Sequence, residues 1–290
     1  MARYEWSEVF MSIEGEAKYA GHPTAYIRFT KCNFQCKGFN NPDGCDTTTV
    51  ETLGFEPKDY KDIYTIPLIT KGCDSIYSWD EKFSHMWHKG TEVDIGNELK
   101  AILPGGTFTN PVSGKPVILS LTGGAPTLRA KFFKPLLNAE AFADCKHILI
   151  ETNCGVPLQW NFISDLNEWL CADTTRKVTW SNSPKLSVSG EKWEEAIIPK
   201  IAGMQRMVTG REGMNQVDQY FKFVCGPNVA DFDEVAKAMD EYYAGGIPRT
   251  VEVYIMPTAC TEEQQQAVAA KVAGMCIERG YIYCHRIQNS

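Results

Sequence analysis

After residue 110 the chain repeats one unit, a short apolar run, a turn and a longer amphipathic stretch. Such βα units constrain the fold more than anything else in the sequence. Parallel strands need a crossover between them, and the crossover helix must bury its apolar stripe on the sheet. Val117 to Thr122 reads as a strand stopped by Gly123-Gly124, with a helix from Pro126 to Leu137 behind it. His147 to Thr152, Lys177 to Trp180, Tyr220 to Val224 and Val251 to Met256 read as further strands. Helices are expected near Phe162 to Leu170, Lys192 to Met204, Asp231 to Tyr243 and from Thr261 to about Arg279. Thr261 is a suitable cap, with Glu262 and Glu263 in the first turn, where negative charge suits the helix dipole. Nearer the front, Thr24 to Thr30 reads as a strand and Ile95 to Leu103 as a helix. The expectation is an α/β protein with about six parallel strands and Tyr281 to Ile287 as a last short one.

Residues 37–72 break this rhythm. They carry Asn40-Asn41-Pro42-Asp43-Gly44 and Thr47-Thr48-Thr49, so a loop-rich inserted segment is expected within a single domain spanning 1–290. The net charge of −7 argues against a broad basic surface for nucleic acid and favours small-molecule chemistry. No apolar stretch has the length of a membrane span, and the first residues lack the apolar segment of a secretory signal, so a cytoplasmic protein is expected. In that compartment eleven cysteines are expected to be thiols or metal ligands rather than a disulfide framework.

Two of them, in Lys31-Cys32-Asn33-Phe34-Gln35-Cys36, follow the first strand and so fall at its C-terminal end, where barrels place their active sites. A cysteine pair alone could equally be buried apolar packing. The context adds Ser12-Ile13-Glu14-Gly15-Glu16 and Ile27-Arg28-Phe29 before the pair, and Cys73-Asp74-Ser75-Ile76-Tyr77-Ser78-Trp79 after it. Thr122-Gly123-Gly124-Ala125-Pro126-Thr127, Glu151-Thr152-Asn153, Ser183-Pro184-Lys185, Lys222-Phe223-Val224 and Met256-Pro257 follow in order. With these motifs the chain resembles the 7-carboxy-7-deazaguanine synthase family of radical S-adenosylmethionine (SAM) enzymes.

The resemblance implies a partial (β/α)6 barrel of the radical SAM type, with the loop-rich insertion in its cluster-binding region. It implies that Cys32, Cys36 and Cys73 hold a 4Fe-4S cluster and leave one iron open, much as a catalytic zinc keeps a free position. SAM would fill that position and be cleaved to a 5′-deoxyadenosyl radical, so the difficult chemistry belongs to the cofactor. Gly123, Gly124, Ser183, Pro184, Lys185, Met256 and Pro257 would hold SAM. Ile13, Glu14, Gly15, Glu16, Arg28 and Thr122 would contact a pterin substrate, and Ser75 would reach Mg2+. An electron donor such as flavodoxin or ferredoxin is implied, with no nucleic-acid or membrane partner and a homodimer among the expected assemblies. The implied reaction turns 6-carboxy-5,6,7,8-tetrahydropterin into 7-carboxy-7-deazaguanine with loss of ammonia, on the route to 7-deazaguanine bases such as queuosine.

Each assignment has a structural alternative. Arg28 could grip a substrate carboxylate or pair with Glu14 or Glu16. Lys185 could be a solvated loop lysine, Glu14 a surface acid, and Gly123-Gly124 an ordinary turn. The family more often has glutamine at the position of Glu14, glutamate at Ala125 and glycine at Cys154, where a buried structural thiol is expected. Between Cys36 and Cys73 stand 36 residues, and Cys45-Asp46-Thr47 among them is a rival third ligand. Rival readings are a glycyl-radical-activating enzyme, a non-catalytic pterin or deazaguanine binder, and a zinc module built on Cys32, Cys36 and two others.

Overall fold

A computed structural model describes residues 3–41 and 53–287. Cys45 lies outside the described residues. At the front, β1 (Tyr4–Ile13) turns back into β2 (Pro23–Phe29), followed after the cysteine loops by β3 (His88–Gly90) and α1 (Glu92–Ile102). The repeating part then runs β4 (Ile118–Gly123), α2 (Phe133–Leu137), β5 (His147–Thr152), α3 (Trp160–Cys171) and β6 (Lys177–Asn182). It continues through α4 (Trp193–Ala196), α5 (Pro199–Gln205), β7 (Val217–Cys225), α6 (Val229–Ala244), β8 (Glu252–Pro257), α7 (Glu262–Arg279) and β9 (Ile282–Tyr283). All described strands join one sheet in the order β3-β1-β2-β4-β5-β6-β7-β8-β9. From β2 to β9 every neighbouring pair is parallel, whereas β1 is antiparallel to both β2 and β3.

The rhythm therefore marks the parallel strands, and it misses β1. That strand mixes Glu5, Ser7 and Glu8 with aromatics, and its register shifts between Trp6 and Glu8, which breaks the period-2 signal. The helix expected from Lys192 to Met204 is two short ones, because Pro199 has no N–H to donate and holds Ile198 out of helical geometry. The stretch from Pro126 is a 3-10 turn to Phe132 before α2 begins, since Pro135 cannot bond back along an α-helix. The last strand is only two residues long. Thr261 caps α7 by accepting from Gln264 N–H, and Gly280 ends it in the left-handed region at φ 74°.

Alternation along each strand divides its residues between two faces. Ala25, Ile27, Phe29, Leu119, Leu121, Ile148, Ile150, Val178 and Trp180 belong to an apolar core shared with α1, α2 and α3. Phe221, Phe223, Val253 and Ile255 join a second core with α6 and α7. The intervening positions on the other face include Arg28, Ser120, Thr122, Glu151, Ser181 and Lys222. One face thus supplies the hydrophobic stabilisation while the other is free to carry polar groups. Residues 53–72 form short turns over a small apolar cluster of their own with Ile76, Phe83 and Met86. No helix among the described residues is long and apolar enough to cross a membrane.

Candidate active site

A cavity of about 670 Å³ opens beside the C-terminal ends of the parallel strands. Among the described residues, its wall includes every one nominated from the sequence as a ligand or contact except Pro184 and Pro257. Cys32 and Cys36 arrive on the loop after β2, and Cys73 on the loop that leads into the turn at Ile76–Ser78. The three thiols pack with Phe34, Phe39 and Ala196 in one small cluster. Burial pushes the Cys73 thiol up to about 12, with the Asp74 charge raising it further and the Trp79 indole opposing. Burial also raises Cys32 and Cys36, while the Lys185 ammonium pulls both back. A dry trio of this kind keeps its protons until a soft cation replaces them, and thiolate ligation releases protons in that way.

The three thiols are a donor set that could hold an iron-sulfur cluster, since a cubane spreads its thiolates over different irons. A closed zinc site would need a fourth protein ligand. None of the described cysteines is in a disulfide. Thr258 on the cavity wall has a buried Oγ1 with no hydrogen-bond partner among the described residues, so the cavity offers a polar group that its own walls leave unsatisfied.

The glycine pair is required by its packing against the cysteine loop. A Cβ at Gly123 would lie 2.1 Å from Phe29 O, and one at Gly124 would lie 2.2 Å from Lys31 O and 2.8 Å from Cys32 Cβ. Gly123 also has φ 130°. The pair lets the end of β4 cross the start of the cysteine loop, and both residues still line the cavity. Cys154 is fully buried, as expected of a structural thiol, and donates to Asn182 Oδ1 at 3.0 Å. Its φ of 56° lies in the region that favours glycine, which accounts for that residue in the family at this position.

A chain of polar contacts runs around the wall. Tyr77 Oη and Arg28 Nε both donate to Glu8 Oε1, at 2.9 and 2.5 Å, and Arg28 Nη1 donates to Ser75 Oγ at 3.2 Å. Ser75 donates to Asp74 at 3.1 Å, and Arg286 spans Asp74 at 2.9 Å and Glu16 at 3.1 Å. Lys222 Nζ then joins Glu16 at 2.8 Å to Glu151 at 3.1 Å, and Ser120 donates to Glu151 at 3.0 Å. The ion pair foreseen for Arg28 thus exists with Glu8 and not with Glu14 or Glu16. Of the cavity cations Arg28, Lys185, Lys222 and Arg286, Lys185 alone has no carboxylate partner among the described residues. It is half-buried beside the thiols rather than solvated, and its Nζ lies 3.4 Å from Ser183 Oγ.

Sequence reasoning passed over Glu8, Thr258 and Arg286, and quoted Lys222 in a motif without giving it a role in the site. For Lys222 a signal existed, since it is the one charged residue inside the aromatic and aliphatic run from Tyr220 to Cys225. Nothing local distinguishes Arg286, whose partners are Glu16 and Asp74, 270 and 212 residues away.

Glu14 is not a surface acid. It is 3% exposed, accepting from Tyr26 Oη at 3.2 Å and from Glu16 N–H at 3.3 Å. Burial, helped by the Glu151 charge and opposed by Lys222, pushes its carboxyl up from 4.5 to about 8. Near neutral pH it is a protonated acid, close in shape and hydrogen bonding to the glutamine of the family. The folded state therefore holds this proton more tightly than the unfolded chain. Its contribution to stability is full below about 4.5 and is lost as pH rises through about 8. Glu14→Gln should remove a slope of up to about 1.4 kcal/mol per pH unit in that window. Denaturation midpoints at pH 5 and 8 check this, and equal slopes in parent and variant would refute the buried acid.

No family model matches the chain. A 7-carboxy-7-deazaguanine synthase from Methanopyrus kandleri is 46% identical over 35 residues, 12% of this chain and 14% of that protein. A 7-carboxy-7-deazaguanine synthase from Koribacter versatilis is 24% identical over 152 residues, 52% of this chain and 45% of that protein. The chain is similar to 7-carboxy-7-deazaguanine synthases. The matched stretches thus span less than half the length of either relative. QueE from Escherichia coli superposes with a TM-score of 0.48 at 17% identity, covering 98% of this chain and 93% of that one.

Proposed function

We propose that the chain is a radical SAM enzyme, a partial barrel whose single domain carries residues 37–72 as an insertion. In this reading it converts 6-carboxy-5,6,7,8-tetrahydropterin to 7-carboxy-7-deazaguanine with loss of ammonia. The observation that carries it is the gathering of three buried or half-buried thiols beside Lys185, the cavity cation with no carboxylate partner among the described residues. A bound cluster with SAM supplies the radical that removes hydrogen from the substrate.

The chain's own residues would bind and orient. Lys185 would hold the SAM carboxylate with Ser183 beside it, and the Thr258 hydroxyl would donate to the same cofactor. Arg28, fixed by Glu8, would present its remaining N–H groups to the substrate carboxylate. Protonated Glu14 would offer the pterin a donor, and Glu16, two residues on in the same loop, a second polar contact on the cavity wall. Lys222 lies between Glu16 and Glu151, whose charges outweigh the burial that disfavours its own and hold its ammonium well above the usual lysine range. Ser75, already between Arg28 and Asp74, is the proposed Mg2+ contact. A cytoplasmic flavodoxin or ferredoxin would supply the electron.

A second reading, a binder without turnover, is favoured by Ala125. It is fully buried and tied by its N–H to Lys31 O at 2.9 Å, where the family carries an acid for the SAM ammonium. Anaerobic reconstitution followed by assay of 5′-deoxyadenosine separates the two. The enzyme should form it faster when 6-carboxy-5,6,7,8-tetrahydropterin is added, together with the deazaguanine product. A complete cluster with no deoxyadenosine in either case would leave the binder.

A further inference from the structure

We propose that Glu191 is a positioning residue that clamps the cysteine loop in its ligating shape and makes the bound cluster harder to reduce. The proposal rests on the reading that Cys32, Cys36 and Cys73 hold that cluster. Glu191 Oε1 accepts the backbone N–H of Gln35 at 2.8 Å and of Cys36 at 2.6 Å. Two successive amides converging on one oxygen form an anion-binding nest, and here a carboxylate from the chain occupies it.

The loop needs such a clamp. Cys36 stands at φ 51° and Lys31 at φ 76°, left-handed backbone conformations that residues bearing a Cβ disfavour. The clamp is itself anchored. Glu191 N–H donates to Ser189 Oγ at 3.2 Å, and that buried hydroxyl donates to Leu186 O at 2.6 Å. One more stitch joins the two loops, from Gly38 N–H to Ser189 O at 2.9 Å. They lie so close there that a Cβ at Gly38 would be 2.6 Å from Val188 O. One loop after β6 therefore carries Lys185 toward the cavity and Glu191 under the cysteines.

The same geometry bears on the electron. Cluster potentials rise with hydrogen bonds to the sulfurs and fall with nearby negative charge. Glu191 takes two amides of the cysteine loop out of use as donors and adds a charge beside Cys36. Both effects favour the oxidised cluster, which gives the reduced one more driving force for delivering its electron.

The full chain, Glu191→Gln and Glu191→Ala are compared in two ways. In the metal-free proteins, iodoacetamide labelling of Cys36 is followed by peptide mass spectrometry. Glu191→Ala should label at least tenfold faster, and Glu191→Gln, which keeps an acceptor oxygen, should label more slowly than Glu191→Ala. In the anaerobically reconstituted proteins, a redox titration followed by electron paramagnetic resonance should give a more positive midpoint for both variants. For Glu191→Gln the expected change is about tenfold in the reduced-to-oxidised ratio, or about 59 mV for one electron. An unchanged Cys36 labelling rate in Glu191→Ala, or an unmoved midpoint in both variants, overturns the proposal. Failure of the parent chain to take up iron would instead remove the cluster reading and the redox half with it, while the labelling rates still decide the clamp.

Discussion

Lys222→Met should destabilise the folded chain by about 3–5 kcal/mol at neutral pH, the range found when one partner of a buried ion pair is removed. Lys222 is 4% exposed and serves two carboxylates that face the same cavity. Without it, Glu151 keeps the hydroxyl of Ser120 alone among the described residues, while Glu16 keeps Arg286. The unpaired charge, rather than the lost packing, is the main cost, because methionine nearly fills the volume. Two consequences separate this account from a packing defect. The penalty should shrink at acid pH, where the stranded carboxylates take up protons, and Glu151→Gln in the Lys222→Met background should restore part of the stability. Urea denaturation of the single and double variants measures both. A loss under about 1 kcal/mol, the same at every pH, would mean that the pairs are solvated.

Cys73→Ala should abolish iron binding, whereas Cys45→Ala should leave about four irons per chain after anaerobic reconstitution, as expected for a cubane. Cys73 packs with Cys32 and Cys36 at the cavity wall and lies next to Asp74 and Ser75, which join the polar chain to Arg286 and Arg28. Cluster loss should be all or none rather than graded, because two thiolates and an open edge leave iron exposed to exchange. Iron content and the visible absorption of the two variants provide the measurement. Retention by Cys73→Ala with loss by Cys45→Ala would reverse the choice of ligand.

The strand rhythm was legible because the strands of the repeating part are short segments rich in β-branched and aromatic residues separated by amphipathic helices, and the Thr261 cap was legible because capping is local. The front of the sheet was not. β1 has no clean alternation and owes its place to pairing with β2, which is a tertiary fact. Helix breaks at Pro135 and Pro199 could have been read from the prolines, since the missing N–H acts within one turn. The crowding at Gly123 and Gly124 was not legible, because the Phe29 and Lys31 carbonyls that crowd them are about 90 residues distant in sequence.

The sequence by itself determined the α/β class, the run of parallel strands, the Cys32 and Cys36 pair and the ordered motifs that carry the resemblance. These depend on periodicity and spacing, which survive in one dimension. Only the tertiary structure decided which charges meet: Arg28 with Glu8, Lys222 with Glu16 and Glu151, Arg286 with Glu16 and Asp74, and Glu191 with the amides of Gln35 and Cys36. Electrostatic partners are chosen by distance in space and strengthened by burial. A parallel sheet brings to one end residues that the chain places far apart, so their pairing is written only in the fold.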